Sequence, residues 1–126
     1  MRPNLEDVVF LHTVAVQHFG GSSGTRDLNA LESAIARPWG VSFGKEHFPY
    51  PFDKAAALCE ALIRNHPFVD GNKRTAMYAS AFLLEKLGYE FVAGQNEVEN
   101  FAVEVAEGKH TTGEIAEWFM DHASKI

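Results

Sequence analysis

The sequence is poor in the features that sort proteins into specialised classes. It holds one cysteine, Cys59, which excludes an internal disulfide framework and any thiolate-rich metal site. That cysteine stands among apolar neighbours in AAALCEALI and reads as an inert buried thiol. Apolar runs are only a few residues long before a charge interrupts them, and the opening MRPNLEDVVF lacks the pattern of a cleavable signal. The expectation is therefore a cytoplasmic chain with no membrane span. Bases are scarce: 11 Lys and Arg against 17 Asp and Glu leave a net charge of −6. That balance lacks the broad basic footprint that direct nucleic-acid binding requires. No repeat, low-complexity tract or linker rich in Pro, Gly or Ser divides the 126 residues, so residues 1–126 read as a single domain.

What is present is helical periodicity. NLEDVVFLHTVAVQHFG has Asn4 as a cap, acids in the first turn, and Val8, Leu11, Ala15 and Phe19 at helical spacing before Gly20. DLNALESAIARP predicts a second helix from Asp27, ended by Pro38. RPWGVSFGKEHFPYP, residues 37–51, has no helical period and reads as an extended flap or hairpin. FDKAAALCEALIRN predicts a third helix, capped by Asp53 and stopped at Asn65 by the following His-Pro. NKRTAMYASAFLLEKLG predicts a fourth, from Asn72 to Gly88, whose small residues suit it to a central position. YEFVA reads as a brief strand or an extended exit, and NEVENFAVEVAEG and TTGEIAEWFMDHASKI as two further helices. The predicted class is all-α, a compact bundle around a central helix with one short flap.

Against this background the stretch NHPFVDGNKRTAMY concentrates polar chemistry at one bend. A loop leaving one helix at Asn65 and entering another at Asn72 presents free backbone N–H groups and the positive end of a helix dipole, an anion site. Gly71 gives the turn freedom and leaves room for a phosphate. Lys73 and Arg74 add charge, and an arginine can pair two oxygens at once. Asp70 suits a magnesium ion bridging phosphate oxygens. Asn72 is expected to cap the helix and donate to an oxygen. His66, on the other lip, is suited to take a proton from an incoming hydroxyl. Singly, these residues are a helix cap, a common turn and a solvated face; two bases in a helix's first turn, however, oppose its dipole unless an anion compensates. The set describes phosphoryl or nucleotidyl transfer. A rival metal hydrolase built on His12, His18, His47, His66 and Asp70 lacks any H-E-x-x-H pair, and His12 and His18, six apart, share no helical face.

HPFVDGNKRT, His66 to Thr75, resembles the signature loop of the Fic/Doc superfamily, H-x-F-x-[DE]-x-N-x-R, and the Lys-Arg-Thr that follows Asn72 resembles its Doc branch. The resemblance extends through FGGSSGTRDLNALESAIARP before the loop and AVEVAEGKHTTGEIAEWF after it. It implies His66 as general base, Asp70 as the magnesium ligand, Gly71, Asn72, Lys73 and Arg74 as the phosphate cradle with Arg64 as a further contact, and the flap as the clamp for an extended target segment. Enzymes of this superfamily that transfer AMP carry a glycine at position 73 and an arginine at position 77; Lys73 and Met77 stand there instead. The resemblance therefore implies a protein kinase using ATP and Mg2+, a toxin of a toxin-antitoxin pair that phosphorylates a threonine of elongation factor Tu and stops translation. AMP transfer is the alternative, and a non-catalytic nucleotide- or partner-binding module the second. The superfamily's inhibitory helix, [ST]-x-x-x-E-[GN], is not matched, because Gln95 and Val103 stand where Ser or Thr is required, so restraint is expected from a separate antitoxin chain.

Overall fold

The computed structural model describes residues 2–126. Helix α1, Leu5–Phe19, starts with a capping box: the Asn4 side chain accepts from the Asp7 N–H at 2.8 Å, and Asp7 accepts from the Asn4 N–H at 3.0 Å. Helix α2, Leu28–Ala36, is capped by Asp27, as expected, and passes into a tight 3-10 turn at Arg37–Trp39 that holds Pro38. The flap is thus shorter than the sequence suggests. It is a hairpin of β1, Val41–Ser42, and β2, Lys45–Glu46, with the wholly exposed Phe43 at its tip. Buried Lys54 fixes its base: the ammonium donates to Glu46 at 2.9 Å and to the Phe48 carbonyl at 2.6 Å, and lies over the Trp39 ring.

Helix α3, Pro51–Asn65, begins one turn earlier than predicted. Pro51 occupies the first helical position, where its missing N–H costs nothing, and Asp53 lies inside the first turn rather than capping it. Every residue of α3 from Lys54 to Ile63 is buried, so this helix is the more deeply enclosed axis of the bundle. Helix α4, Asn72–Lys86, lies against it. Ala55 faces Ser80, whose hydroxyl donates to the Ala55 carbonyl at 3.2 Å, and such small residues bring the two backbones close. Strand β3, Tyr89–Phe91, follows α4; helices α5, Gln95–Ala106, and α6, Thr112–Asp121, complete the bundle.

The chain ends in an element the sequence did not announce, β4, Ala123–Lys125, antiparallel to β3 with Phe91 opposite Ala123. ASK has no strand pattern of its own; its conformation is set by the edge it pairs with. Phe91 in turn packs on Trp118 and Phe119, which ties the exit of α4 to α6. Burying a large apolar side chain stabilises by about 1.5–3 kcal/mol, against about 0–1 kcal/mol for an exposed ion pair. The shared core of Leu58, Leu62, Phe68, Leu83, Val105 and Phe119 therefore sets where the start of α4 sits.

Candidate active site

The bend between α3 and α4 is held from three sides. His66 ends α3 in the left-handed conformation, φ 50° and ψ 54°, which reverses the chain after the helix. The freed carbonyls at the end of α3 accept from Arg26: its Nε donates to His66 at 2.8 Å and its Nη2 to Asn65 at 3.1 Å. A cation on the negative end of the dipole is favourable in itself. The Arg26 and Asp27 N–H groups reach the Pro67 carbonyl at 2.7 and 3.0 Å, and the Val69 N–H reaches Gly24 at 3.1 Å.

The third support is His12 of α1. Its ring is 3% exposed and stacks on Phe68, with centroids 3.9 Å apart and planes 5° from parallel, and its Nε2 donates to the Asp70 carbonyl at 2.8 Å. Since a carbonyl only accepts, the Nε2–H tautomer is fixed. Neither His12 nor Arg26 carried a local signal: His12 stands 58 residues from the group it holds.

Asn72 corrects the sequence reading. Gly71, at φ +73°, occupies the N-cap position, and Asn72 is the first helical residue. The buried Asn72 side chain spends both ends of its amide on the loop: Oδ1 accepts from the Phe68 N–H at 2.9 Å, and Nδ2 donates to the Phe68 carbonyl at 3.0 Å. It shapes the bend with its side chain, and only its N–H is left to face a ligand.

Among the described residues no acceptor meets the N–H groups of Asn72, Lys73 and Arg74, so the first turn of α4 presents three free donors. They open on a cleft of about 360 Å3 lined by His66, Asp70, Gly71, Asn72, Lys73 and Arg74. Met77, Val98 and Glu99 form the far wall. Asp70 is oriented by its neighbours: Oδ1 accepts from the Gly71 N–H at 2.9 Å, and Oδ2 from the Ser22 N–H at 3.3 Å. Gly21, at φ +109°, lies so close that a Cβ there would be 2.7 Å from Asp70 Oδ2 and would push the carboxylate aside. Lys73 is exposed and enters no ion pair among the described residues.

One further placement differs from expectation. Arg64 lies outside the cleft, on the last turn of α3, with its guanidinium 3.4 Å from Glu60. The left-handed turn at His66 carries the loop away from it. Met77 points into the core, 2% exposed, its sulfur 3.8 Å from that of Cys59. The QNEVEN segment opens α5 and sets Glu99 on Arg74, Nη2 to Oε1 at 3.0 Å, while the same guanidinium lies 3.9 Å over the Phe19 ring. Hydrogen bonding to Arg74, and secondarily to Gln95, holds the Glu99 carboxyl below the usual carboxylate range. Of the remaining histidines, His18 bonds within its own helix and His47 faces Ser42, and no metal-holding group of three such side chains occurs among the described residues.

Residues 2–84, which contain the bend and the first turn of α4 but not the α5 wall of the cleft, match the model of the Fic/DOC family. The chain belongs to the Fic/DOC family. It is similar to Toxin Doc of Mycolicibacterium smegmatis, 43% identical over 88 residues, which is 70% of this chain and 65% of that protein. The chain thus matches somewhat less than two thirds of that relative's length. It is also 28% identical over 112 residues to Protein kinase doc of Escherichia phage P1, covering 89% of this chain and 87% of the phage protein. The Fic/DOC match ends within α4, so α5, α6 and the β3–β4 sheet lie beyond it. No helix among the described residues is long and apolar enough to cross a membrane.

Proposed function

We propose that this chain is a Doc-type toxin and protein kinase, moving the terminal phosphate of ATP to a protein hydroxyl. The observation that carries the reading is that His66, Asp70, three free N–H donors, Lys73 and Arg74 line one cleft at the start of α4. The two relatives, one named a toxin and the other a protein kinase, support it.

In this mechanism the first turn of α4 and Lys73 bind the phosphate oxygens, and Arg74 exchanges Glu99 for phosphate. Both partners are partly exposed, so that exchange costs about 1 kcal/mol or less. His66 accepts the proton of the attacking hydroxyl. Asp70 would hold Mg2+, since one carboxylate completed by phosphate oxygens is the usual environment of that ion, and the metal would neutralise charge on the phosphates. With Met77 buried, a guanidinium at that position is missing from the cleft, which favours phosphate over AMP transfer. The hairpin at Val41–Glu46 would receive the target by strand addition, with Phe43 free to contact it. A threonine of elongation factor Tu as target, arrest of translation, a cognate antitoxin as restraint and a cytoplasmic location complete the proposal.

The test uses purified protein, magnesium and elongation factor Tu or bacterial lysate, with ATP labelled at the α or the γ phosphate. Transfer from γ alone, absent in His66→Ala and Asp70→Ala, is expected. Transfer from α would mean AMP transfer, and no transfer from either would favour a nucleotide-binding module.

A further inference from the structure

The direction in which the Asp70 carboxylate points is not fixed by its own residue. The terminal torsion of an aspartate is broad and roughly two-fold, so neighbours decide it. Those neighbours come from the loop after α1. The Gly20 N–H closes α1 on the Val16 carbonyl at 2.8 Å, and from Gly24 onward the loop runs antiparallel to the bend, with Thr25 bridged to Phe68. Gly21 and Ser22 are thereby held between two anchored ends, beside Asp70. We propose that Gly21 is a positioning residue for Asp70: its bare backbone leaves the space into which the carboxylate fits, and so fixes how that carboxylate meets a metal ion on the phosphates.

Two separate features make position 21 unlike an ordinary turn glycine. Its φ of +109° is a conformation that side chains avoid, and Gly24, at +118°, shares it. Only Gly21 has the second. A Cβ there would meet Asp70 Oδ2 at 2.7 Å, its Cγ at 3.1 Å and its Cβ at 3.7 Å, whereas one at Gly24 would lie 3.7 Å from the Val69 side chain, in ordinary contact. The carboxylate therefore occupies the volume that a side chain at position 21 would take. The Ser22 N–H reaches Oδ2 at 3.3 Å, which is long for such a bond, so packing against Gly21 carries most of the restraint. His12 holds the Asp70 carbonyl at 2.8 Å, so main chain and carboxylate are gripped separately, one by α1 and the other by the loop that follows it.

The remaining capacity of the carboxylate suits a metal. Its two oxygens offer about four lone-pair sites, and only two are engaged, one on Oδ1 by the Gly71 N–H and one on Oδ2 by the Ser22 N–H. Asp70 enters no ion pair among the described residues, so no side-chain cation competes for it. Mg2+ demands near-ideal octahedral geometry, and outer groups that orient a ligand are typically worth about 10–100-fold in metal affinity. Gly21 itself does not line the cleft, and the free N–H donors of α4 lie on a different element. The metal-dependent part of phosphate binding should therefore depend on position 21, and the metal-free part should not. This inference rests on the reading of Asp70 as the magnesium ligand and adds what aims it.

Calorimetric binding of inorganic tripolyphosphate, once in excess EDTA and once in excess Mg2+, separates the metal from the phosphates. Wild type should bind the magnesium complex more tightly than the free anion. Gly21→Ala is expected to bind the free anion within about twofold of wild type and the magnesium complex about tenfold or more weaker. Gly24→Ala, with comparable backbone strain and no carboxylate beside it, should match wild type in both. In an Asp70→Ala background Gly21→Ala should cause no further loss, because the two act through one group. Hydrogen exchange of the Ser22 N–H, expected to be faster in Asp70→Ala than in wild type, checks the contact with no change at position 21. The positioning role is refuted if Gly21→Ala binds the magnesium complex as wild type does, loses the free anion equally or adds to Asp70→Ala, if Gly24→Ala shows the same defect, or if Ser22 exchanges at equal rates; in each case the phosphate site stands. If wild type binds the magnesium complex no tighter than the free anion, or Asp70→Ala binds both as wild type does, the metal-ligand reading falls and this inference with it.

Discussion

Replacing Asn72 with alanine removes the clamp that shapes the bend between α3 and α4, and its cost can be worked from the contacts. Phe68 is 1% exposed, and both its N–H and its carbonyl are satisfied by the Asn72 amide, at 2.9 and 3.0 Å. Alanine leaves two buried backbone groups without partners. Each orphaned group costs about 1–3 kcal/mol; with some relaxation of the loop the pair should cost about 2–4 kcal/mol. An unfolding entropy of about 2.1 cal/mol/K per residue gives this chain roughly 0.26 kcal/mol per kelvin, so the melting temperature should fall by about 8–15 °C. Asn72→Asp keeps the acceptor for the Phe68 N–H but turns an oxygen on the Phe68 carbonyl, and should melt between the two. Scanning calorimetry measures the shift, and tripolyphosphate binding below the transition reads the site. An alanine variant melting within about 2 °C of wild type would refute the clamp. If that variant also lost tripolyphosphate, the amide would have to contact phosphate itself, as the sequence alone suggests.

Two other perturbations test the geometry from different directions. His66 adopts φ 50° and its ring makes no hydrogen bond among the described residues, so His66→Gly should relieve strain, raise the melting temperature by about 2–4 °C and abolish transfer; a lower melting temperature would show that the ring contributes to packing. Burial pushes the Cys59 thiol up to about 12, with the Glu60 charge adding to the rise and a Ser80 hydrogen bond opposing it. Because the unfolded thiol ionises near about 8.5, its contribution to stability is complete below that pH and is lost as pH rises toward 12. Wild type should therefore lose stability over that window faster than Cys59→Ala, and native protein should resist thiol reagents at neutral pH; equal slopes would place Cys59 in contact with water.

The parts of this fold that the sequence announces are those whose causes are local. Asn4, Asp27 and Thr111 cap the helices they precede because a side-chain oxygen two or three residues before a free N–H needs no tertiary partner. The free N–H groups at the start of α4 were legible for the same reason: Gly71 and the first turn of α4 are consecutive in the chain. What could not be read are contacts between distant segments, such as His12 on the Asp70 carbonyl, Gly21 against its carboxylate and Arg26 across the end of α3. These put the bend between α3 and α4 under the control of α1 and the loop after it, so substitutions there should disturb the cleft without lining it. Arg64 shows the converse. Two residues from His66 in sequence, it is removed from the cleft by one left-handed residue, and its charge serves Glu60 instead. The unusual backbone at His66 is thus the step that divides the site from the scaffold. It sets His66 in the wall of the cleft, leaves α3's carbonyls to Arg26, and starts the loop whose far end exposes the donors of α4. A histidine there, where glycine would fold more easily, is the local inconsistency expected of a functional position.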